Sequence, residues 1–218
     1  HENDAAYILR DICMNENMTA TEPKEGKIEL IADTDGLFLV DLDRLRAVNA
    51  LGDMMIATRA SGFMVKKGDK LCGTRVIPLV IKKERMEAAK QAAGECPIMR
   101  LLPVKPKKYG LVTTGNEVFY GRIEDTFTPV IQAKMAEFGC EMQEHVVLND
   151  DHQKITAAIL DMLDKGCEMV VCTGGMSVDP DDKTPLAIKN TGANIVSYGA
   201  PVLPGAMFLL SYTDDGRP

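Results

Sequence analysis

The sequence predicts an α/β protein: a three-layer α/β/α domain with a mainly parallel sheet, preceded by a smaller, β-rich α+β domain. Three observations predict it. After residue 104, apolar runs of strand length alternate with amphipathic helical segments, the pattern of parallel strands joined by crossovers. Before it, short strand-like runs crowd together between turns. Between the two, "LLPVKPKKYG" holds Pro103 and Pro106 among lysines, which breaks regular structure and sets the boundary between domains 1–104 and 105–218.

Taken in order, "DAAYILRDICM" reads as an amphipathic helix. "GKIELIA" and "LFLVD" flank "DTDG", which predicts a hairpin. "DLDRLRAVNALG" is a short helix with an Asp cap, ending at Gly52. "DMMIATR" and "CGTRVIPLVI" are strand-like, with the turns of "SGFMVKKGDKL" between them, and "KERMEAAKQAAG" is a helix closed by Gly94. In the second half, "YGLVTT", "EMQEHVVL" and "EMVVCT" are strands. "TPVIQAKMAEFGC" is a helix with Thr128 as cap and Val130, Ile131, Met135 and Phe138 on one face. "DDHQKITAAILDMLDKG" is a helix with Ile155, Ile159, Met162 and Leu163 inward, "TPLAIKNTG" a short helix, and "ANIVSY" and "AMFLLSY" further strands.

Charge and composition exclude several functions. The 218 residues carry a net charge of −7 and no Trp. Nucleic-acid binding is therefore not expected, since it calls for a basic surface or an aromatic platform. The acidity is uneven: residues 1–104 have 15 basic and 16 acidic side chains, residues 105–218 have 10 and 16. An acidic second half suits a site that holds Mg²⁺ beside a phosphate, although solubility charge accounts for much of the excess. Six cysteines form no C-x-x-C pair, and Cys72, Cys167 and Cys172 sit in or beside apolar runs, so reduced core thiols are expected. No run is long enough to span a membrane and no signal peptide is visible, so a cytoplasmic location is expected. Both ends, His1-Glu2-Asn3 and the turn "DDGRP", read as parts of a longer protein.

Ligands of open α/β sheets bind outside the carboxyl ends of the strands. Three polar segments fall there: "TTGNEV" (113–118), "LNDD" (148–151) and "TGGMSVDPDD" (173–182). Gly115, Gly174 and Gly175 would let backbone amides approach an anion. Glu117, Asp150 and Asp182 would repel a bare phosphate unless Mg²⁺ bridges them to it. The plainer readings stand beside this one. Gly-Gly after a strand makes a turn, Asp150 and Asp151 suit a helix cap, and Asp179, Asp181 and Asp182 suit a helix N-terminus. His145 and His152 have no patterned partner and read as structural or surface residues.

With "TTGNEV", "IEDTF", "LNDD", "TGGMSVDPDD" and "VLPGAMF" in this order, residues 107–211 resemble the molybdopterin-binding domain of MogA-, MoeA- and gephyrin-type proteins of molybdenum cofactor biosynthesis. The first domain is similar, more weakly, to the segments preceding this domain in MoeA-like proteins. The resemblance implies a MogA-like fold and molybdopterin or its adenylate as ligand, with Mg²⁺ and ATP or AMP in the chemistry. It implies catalytic roles for Asp182, Asp150 and Glu117, with Asp150 and Asp182 on the metal. Thr114, Gly115, Asn116, Thr173, Gly174, Gly175 and Ser177 would line the phosphate and pterin pocket, with Pro204 and Gly205 beside it. A homo-oligomer, dimer or trimer, and a molybdoenzyme partner are implied as well. Met176-Ser177 follows T-G-G as in the MoeA branch, but Pro204-Gly205-Ala206-Met207 lacks the lysine of the MoeA turn. That departure gives weight to a non-catalytic carrier or sensor beside adenylyl transfer or molybdate insertion. A CinA-type nucleotide-processing domain is the third reading.

Overall fold

The computed structural model describes residues 1–176, 182–203 and 205–218, and divides into two compact units, His1–Val104 and Lys105–Pro218. In the first unit the order is α1 (Glu2–Cys13), β1 (Met18–Ala20), β2 (Lys27–Ala32), β3 (Gly36–Val40), α2 (Leu42–Asn49), β4 (Met54–Thr58), β5 (Phe63–Val65), β6 (Lys70–Val76), α3 (Lys83–Ala93) and β7 (Met99–Pro103). Two antiparallel sheets form, β1-β2-β6-β4 and β5-β3-β7. Alternate strand residues, with α1, enclose a core that includes Leu9, Ile28, Leu30, Phe38, Leu71, Met99 and Leu101.

The hairpin expected at "DTDG" does not form, because β2 and β3 enter different sheets. The turn is held from outside instead. Lys67 N donates to Asp35 Oδ1 at 2.8 Å, and Gly68 N donates to Ala32 O at 2.8 Å. These long-range bonds take the backbone and acidic groups that a hairpin turn would have used.

The second unit runs β8 (Lys108–Thr114), α4 (Asn116–Phe119), α5 (Phe127–Ala136), β9 (Glu141–Leu148), α6 (His152–Asp164), β10 (Met169–Thr173), α7 (Thr184–Asn190), β11 (Asn194–Tyr198) and β12 (Leu209–Tyr212). Among the described residues β10-β8-β9 is a parallel sheet with β8 central, and β11 and β12 pair antiparallel. Alternation along β8 distributes the layers. Gly110, Val112 and Thr114 face α6 and α7: a Cβ at Gly110 would sit 2.4 Å from Met162 Sδ, Val112 packs with Ile155 and Ile159, and Thr114 meets Thr184. Thr113 faces the other way and meets Thr128 of α5. Helices therefore cover both faces, the three-layer arrangement that the alternating sequence predicts.

α6 carries most of this core, with Ile155, Ile159, Met162 and Leu163 all buried. Each such side chain contributes about 1.5–3 kcal/mol on leaving water. Asp151 caps it, accepting from Gln153 N and Lys154 N. α5 differs from expectation in two ways. It starts at Phe127, and its cap is Asp125, whose Oδ1 accepts from Phe127 N and Thr128 N at 3.0 Å each. None of its residues is buried; Val130 is exposed, and Phe138 lies beyond its end at Ala136 and is exposed too. Cys13, Cys72 and Cys167 are buried free thiols. No helix among the described residues is long and apolar enough to cross a membrane.

Candidate functional site

Registers Thr114↔Leu148 and Thr113↔Thr173 bring β8, β9 and β10 to an end at one level. The three polar segments that follow therefore meet at one sheet edge. Gly115 N donates to Leu148 O at 3.1 Å, closing the first two segments together. Asn116 and Asp150 then bind each other reciprocally. Asn116 N donates to Asp150 Oδ2 at 3.1 Å, and Asp150 N donates to Asn116 Oδ1 at 3.4 Å.

The glycine turn lies against the same place. Gly174 has φ +87°, and a Cβ there would lie 2.0 Å from Thr114 O. Gly175 has φ +52°, and a Cβ there would lie 2.8 Å from Thr184 Oγ1, 3.2 Å from Thr114 Oγ1 and 3.5 Å from Asp150 Oδ1. Only glycine accepts both the left-handed backbone and this approach. Beneath the turn is a hydroxyl chain. Thr114 Oγ1 donates to Thr173 O at 3.2 Å, which spends its one proton, so Thr184 Oγ1, 3.0 Å away, donates to Thr114. Thr184 N donates to Gly175 O at 3.3 Å.

Asp150 thus has one carboxylate oxygen engaged by Asn116 and the other directed at the glycine turn. Glu117 stands in the first turn of α4 and is exposed. Asp182 is half-buried, just before Thr184 on the approach to α7. Gly205 is exposed in the turn before β12, where Ala200 N donates to Ala206 O at 2.7 Å. Ser177, Asp179, Asp181 and Pro204 lie outside the described residues. Among the described residues no three of His, Cys, Asp and Glu come together as a metal cage.

Two groups escaped sequence reasoning. Tyr198 on β11 donates its hydroxyl to Met176 O at 3.3 Å, tethering the residue after the glycine turn. On the opposite sheet face, Asp125, Thr128, His145 and Thr113 form a polar network. Thr113 Oγ1 lies 3.0 Å from His145 Nε2 and 3.1 Å from Thr128 Oγ1. Burial pushes the Asp125 carboxyl upward, but the Thr128 hydroxyl and the Thr128 and Phe127 amides outweigh it and hold the group below its ordinary value. "IEDTF" marks Asp125 in the sequence, whereas nothing local marks His145.

A cavity of about 720 Å³ runs along the outer edge of β10, lined by Val170, Cys172, Met176, Phe208 and Leu210 among others. Thr173, at the end of β10, and Gly205 line it as well, while none of its described lining residues is Asp or Glu. Cys172, expected as a core thiol, is half-buried there, and loss of hydration pushes its thiol up to about 12, which favours the protonated form.

Residues 110–210 match the family described as "Probable molybdopterin binding domain". A molybdopterin molybdenumtransferase of Synechococcus elongatus is 26% identical over 163 residues, 70% of this chain and 38% of the relative. A CinA-like protein of Mycobacterium avium is 32% identical over 83 residues, 38% of this chain and 19% of the relative. The chain thus spans well under half the length of either. Among solved structures, the tungsten cofactor synthesizing protein MoaB from Pyrococcus furiosus is 27% identical, with TM-score 0.37 over 39% of this chain and 53% of that one. The protein CinA from Thermoplasma acidophilum is 26% identical, with TM-score 0.38 over 41% and 53%.

Proposed function

We propose that the chain, whose residues 110–210 match the family described as molybdopterin-binding, binds molybdopterin or its adenylate at the carboxyl edge of β10-β8-β9, in molybdenum cofactor biosynthesis. The observation that carries this reading is Asp150, with one oxygen facing Gly175 and the other bound to Asn116. In it, the backbone of Gly115, Gly174 and Gly175, with Thr114, Asn116, Thr173 and Ser177, receives the phosphate and pterin. Asp150 and Asp182 would hold Mg²⁺, Glu117 completes the acidic set, and Gly205 is proposed beside them. Bound Mg²⁺ would supply charge neutralisation at the phosphate. The chain's own part is to place donors and exclude alternative geometries, which is most of what phosphoryl chemistry asks of a protein.

Adenylyl transfer and molybdate insertion belong to the same proposal, as do a dimer or trimer and service to a molybdoenzyme. The first unit is proposed as the MoeA-like accessory domain. The match to the molybdenumtransferase supports this, being longer than Lys105–Pro218. A CinA-type nucleotide-processing role is the second reading, favoured by the higher identity of the shorter CinA-like match.

Calorimetry with Mg²⁺ and ATP, AMP or molybdopterin tests the site. Asp182→Ala is expected to weaken binding at least tenfold, and unchanged affinity sinks the assignment. Release of pyrophosphate or AMP with Mg-ATP and molybdopterin marks an enzyme, tight binding without turnover a carrier. Binding of nucleotide with no affinity for molybdopterin favours the CinA-type role.

A further inference from the structure

Glu117 can serve the site only if the backbone that carries it is held still. That backbone is a closed knot. Arg122 N and Ile123 N both donate to Glu117 O, at 2.8 and 3.3 Å, and Gly121 N donates to Val118 O at 3.0 Å. Its upstream end is fixed by Gly115 N on Leu148 O and by the Asn116–Asp150 pair. Its downstream end is Asp125, with only Glu124 between it and Ile123.

Asp125 is itself held by three donors, the Phe127 and Thr128 amides at 3.0 Å and the Thr128 hydroxyl at 2.5 Å. Thr128 has one hydroxyl proton and gives it to Asp125. Its oxygen is therefore an acceptor towards Thr113 Oγ1 at 3.1 Å and His145 Nε2 at 3.1 Å. Thr113 precedes Thr114 on β8, and His145 belongs to β9. The Asp125 and His145 side chains are only 17% and 25% exposed, so water competes weakly for these bonds.

We propose that Asp125, Thr128 and His145 are positioning residues of the site: they pin the downstream end of the Glu117 knot to β8 and β9, as Asn116 and Asp150 pin the upstream end. The inference rests on the reading that Glu117 faces the ligand. It assigns a role to His145, a residue outside every strand-end motif. Asp150 of the upstream anchor also faces Gly175, whereas Asp125, Thr128 and His145 do not, so losing the downstream anchor frees Glu117 and leaves the groups around the glycine turn in place.

The test uses the whole chain. Thr128→Val keeps the shape and removes the hydroxyl; Thr128→Ser keeps the hydroxyl. Without ligand, the amides of Gly121, Arg122 and Ile123 are expected to exchange with deuterium about tenfold faster in Thr128→Val and at the wild-type rate in Thr128→Ser. Mg-ATP affinity by calorimetry is expected to fall about tenfold in Thr128→Val and to recover in Thr128→Ser. Added to Glu117→Gln, Thr128→Val is expected to cost nothing further, since the two act through one group. Unchanged exchange overturns the clamp, and an additive loss overturns its link to Glu117. If Thr128→Val does not fold, Asp125→Asn and His145→Gln take its place in the exchange measurement. A wild-type chain that binds neither Mg-ATP nor molybdopterin refutes the proposed function, while the exchange rates still decide the clamp.

Discussion

Among the described glycines, Gly174 leaves the least room for a side chain. Its φ of +87° and the 2.0 Å that would separate a Cβ from Thr114 O exclude any side chain while β10 stays paired with β8. Gly192 provides the control, with φ +84° and open space around its Cβ position. Gly174→Ala is expected to cost about 3 kcal/mol or more, the strain of the backbone plus the collision. Gly192→Ala should cost about 1 kcal/mol, the backbone strain alone. Urea denaturation of both variants measures the difference, and equal losses would show that the close approach is relieved elsewhere. The importance of this glycine is visible in the sequence, since T-G-G follows an apolar strand. That Thr114 is what it packs against is not, because the two residues lie far apart in the chain.

At the scale of elements, α5 shows how a local rule can choose the wrong residue. Thr128 is a sound cap candidate ahead of Pro129, yet Asp125 accepts the first amides and Thr128 turns its hydroxyl to that carboxylate. A carboxylate outcompetes a neutral hydroxyl for helix-end N–H groups, because the bonds are charge-assisted. The capping gives a pH signature. Asp125 is held below its ordinary value, so its contribution is complete above about pH 4 and fades as pH falls through the lower folded value. The stability gap between wild type and Asp125→Asn should be level from pH 8 to about 5, near 1 kcal/mol, and close in stronger acid. Denaturation curves across pH check this; a gap that widens in acid contradicts the assignment. The lost hairpin between β2 and β3 has a different origin, since Asp35 meets Lys66 and Lys67, 31 and 32 positions away, rather than its own turn. One departure is a local competition between two side chains, the other a distant partner.

For the molecule as a whole, each unit has its own core, around Phe38 and Leu9 in the first and around Val112 and Ile155 in the second. Phe38 and Ile155 are both fully buried. Phe38→Ala is expected to destabilise the first unit by about 3–5 kcal/mol and Ile155→Ala the second by about 2–5 kcal/mol. Two unfolding transitions should appear in calorimetry, each moved by one variant only. A single transition moved by both would mean that the units fold as one body.

Local order was readable from the residues because periodicity, caps and turn chemistry act over a few positions. The alternation of apolar strands and amphipathic helices predicts the parallel three-layer domain, and the buried face of α6 follows from its spacing. Strand ends followed by T-G-N-E, N-D-D and T-G-G predict one polar edge. Only the tertiary structure decided which oxygen meets which. Asn116 and Asp150 are 34 positions apart, Thr113 and His145 32, and Thr114 and Thr184 70. A threonine or a histidine carries donors and acceptors that suit many partners equally well. The packing of β8 between β9 and β10 brings particular partners within reach, and the buried hydroxyls among them pair with those neighbours.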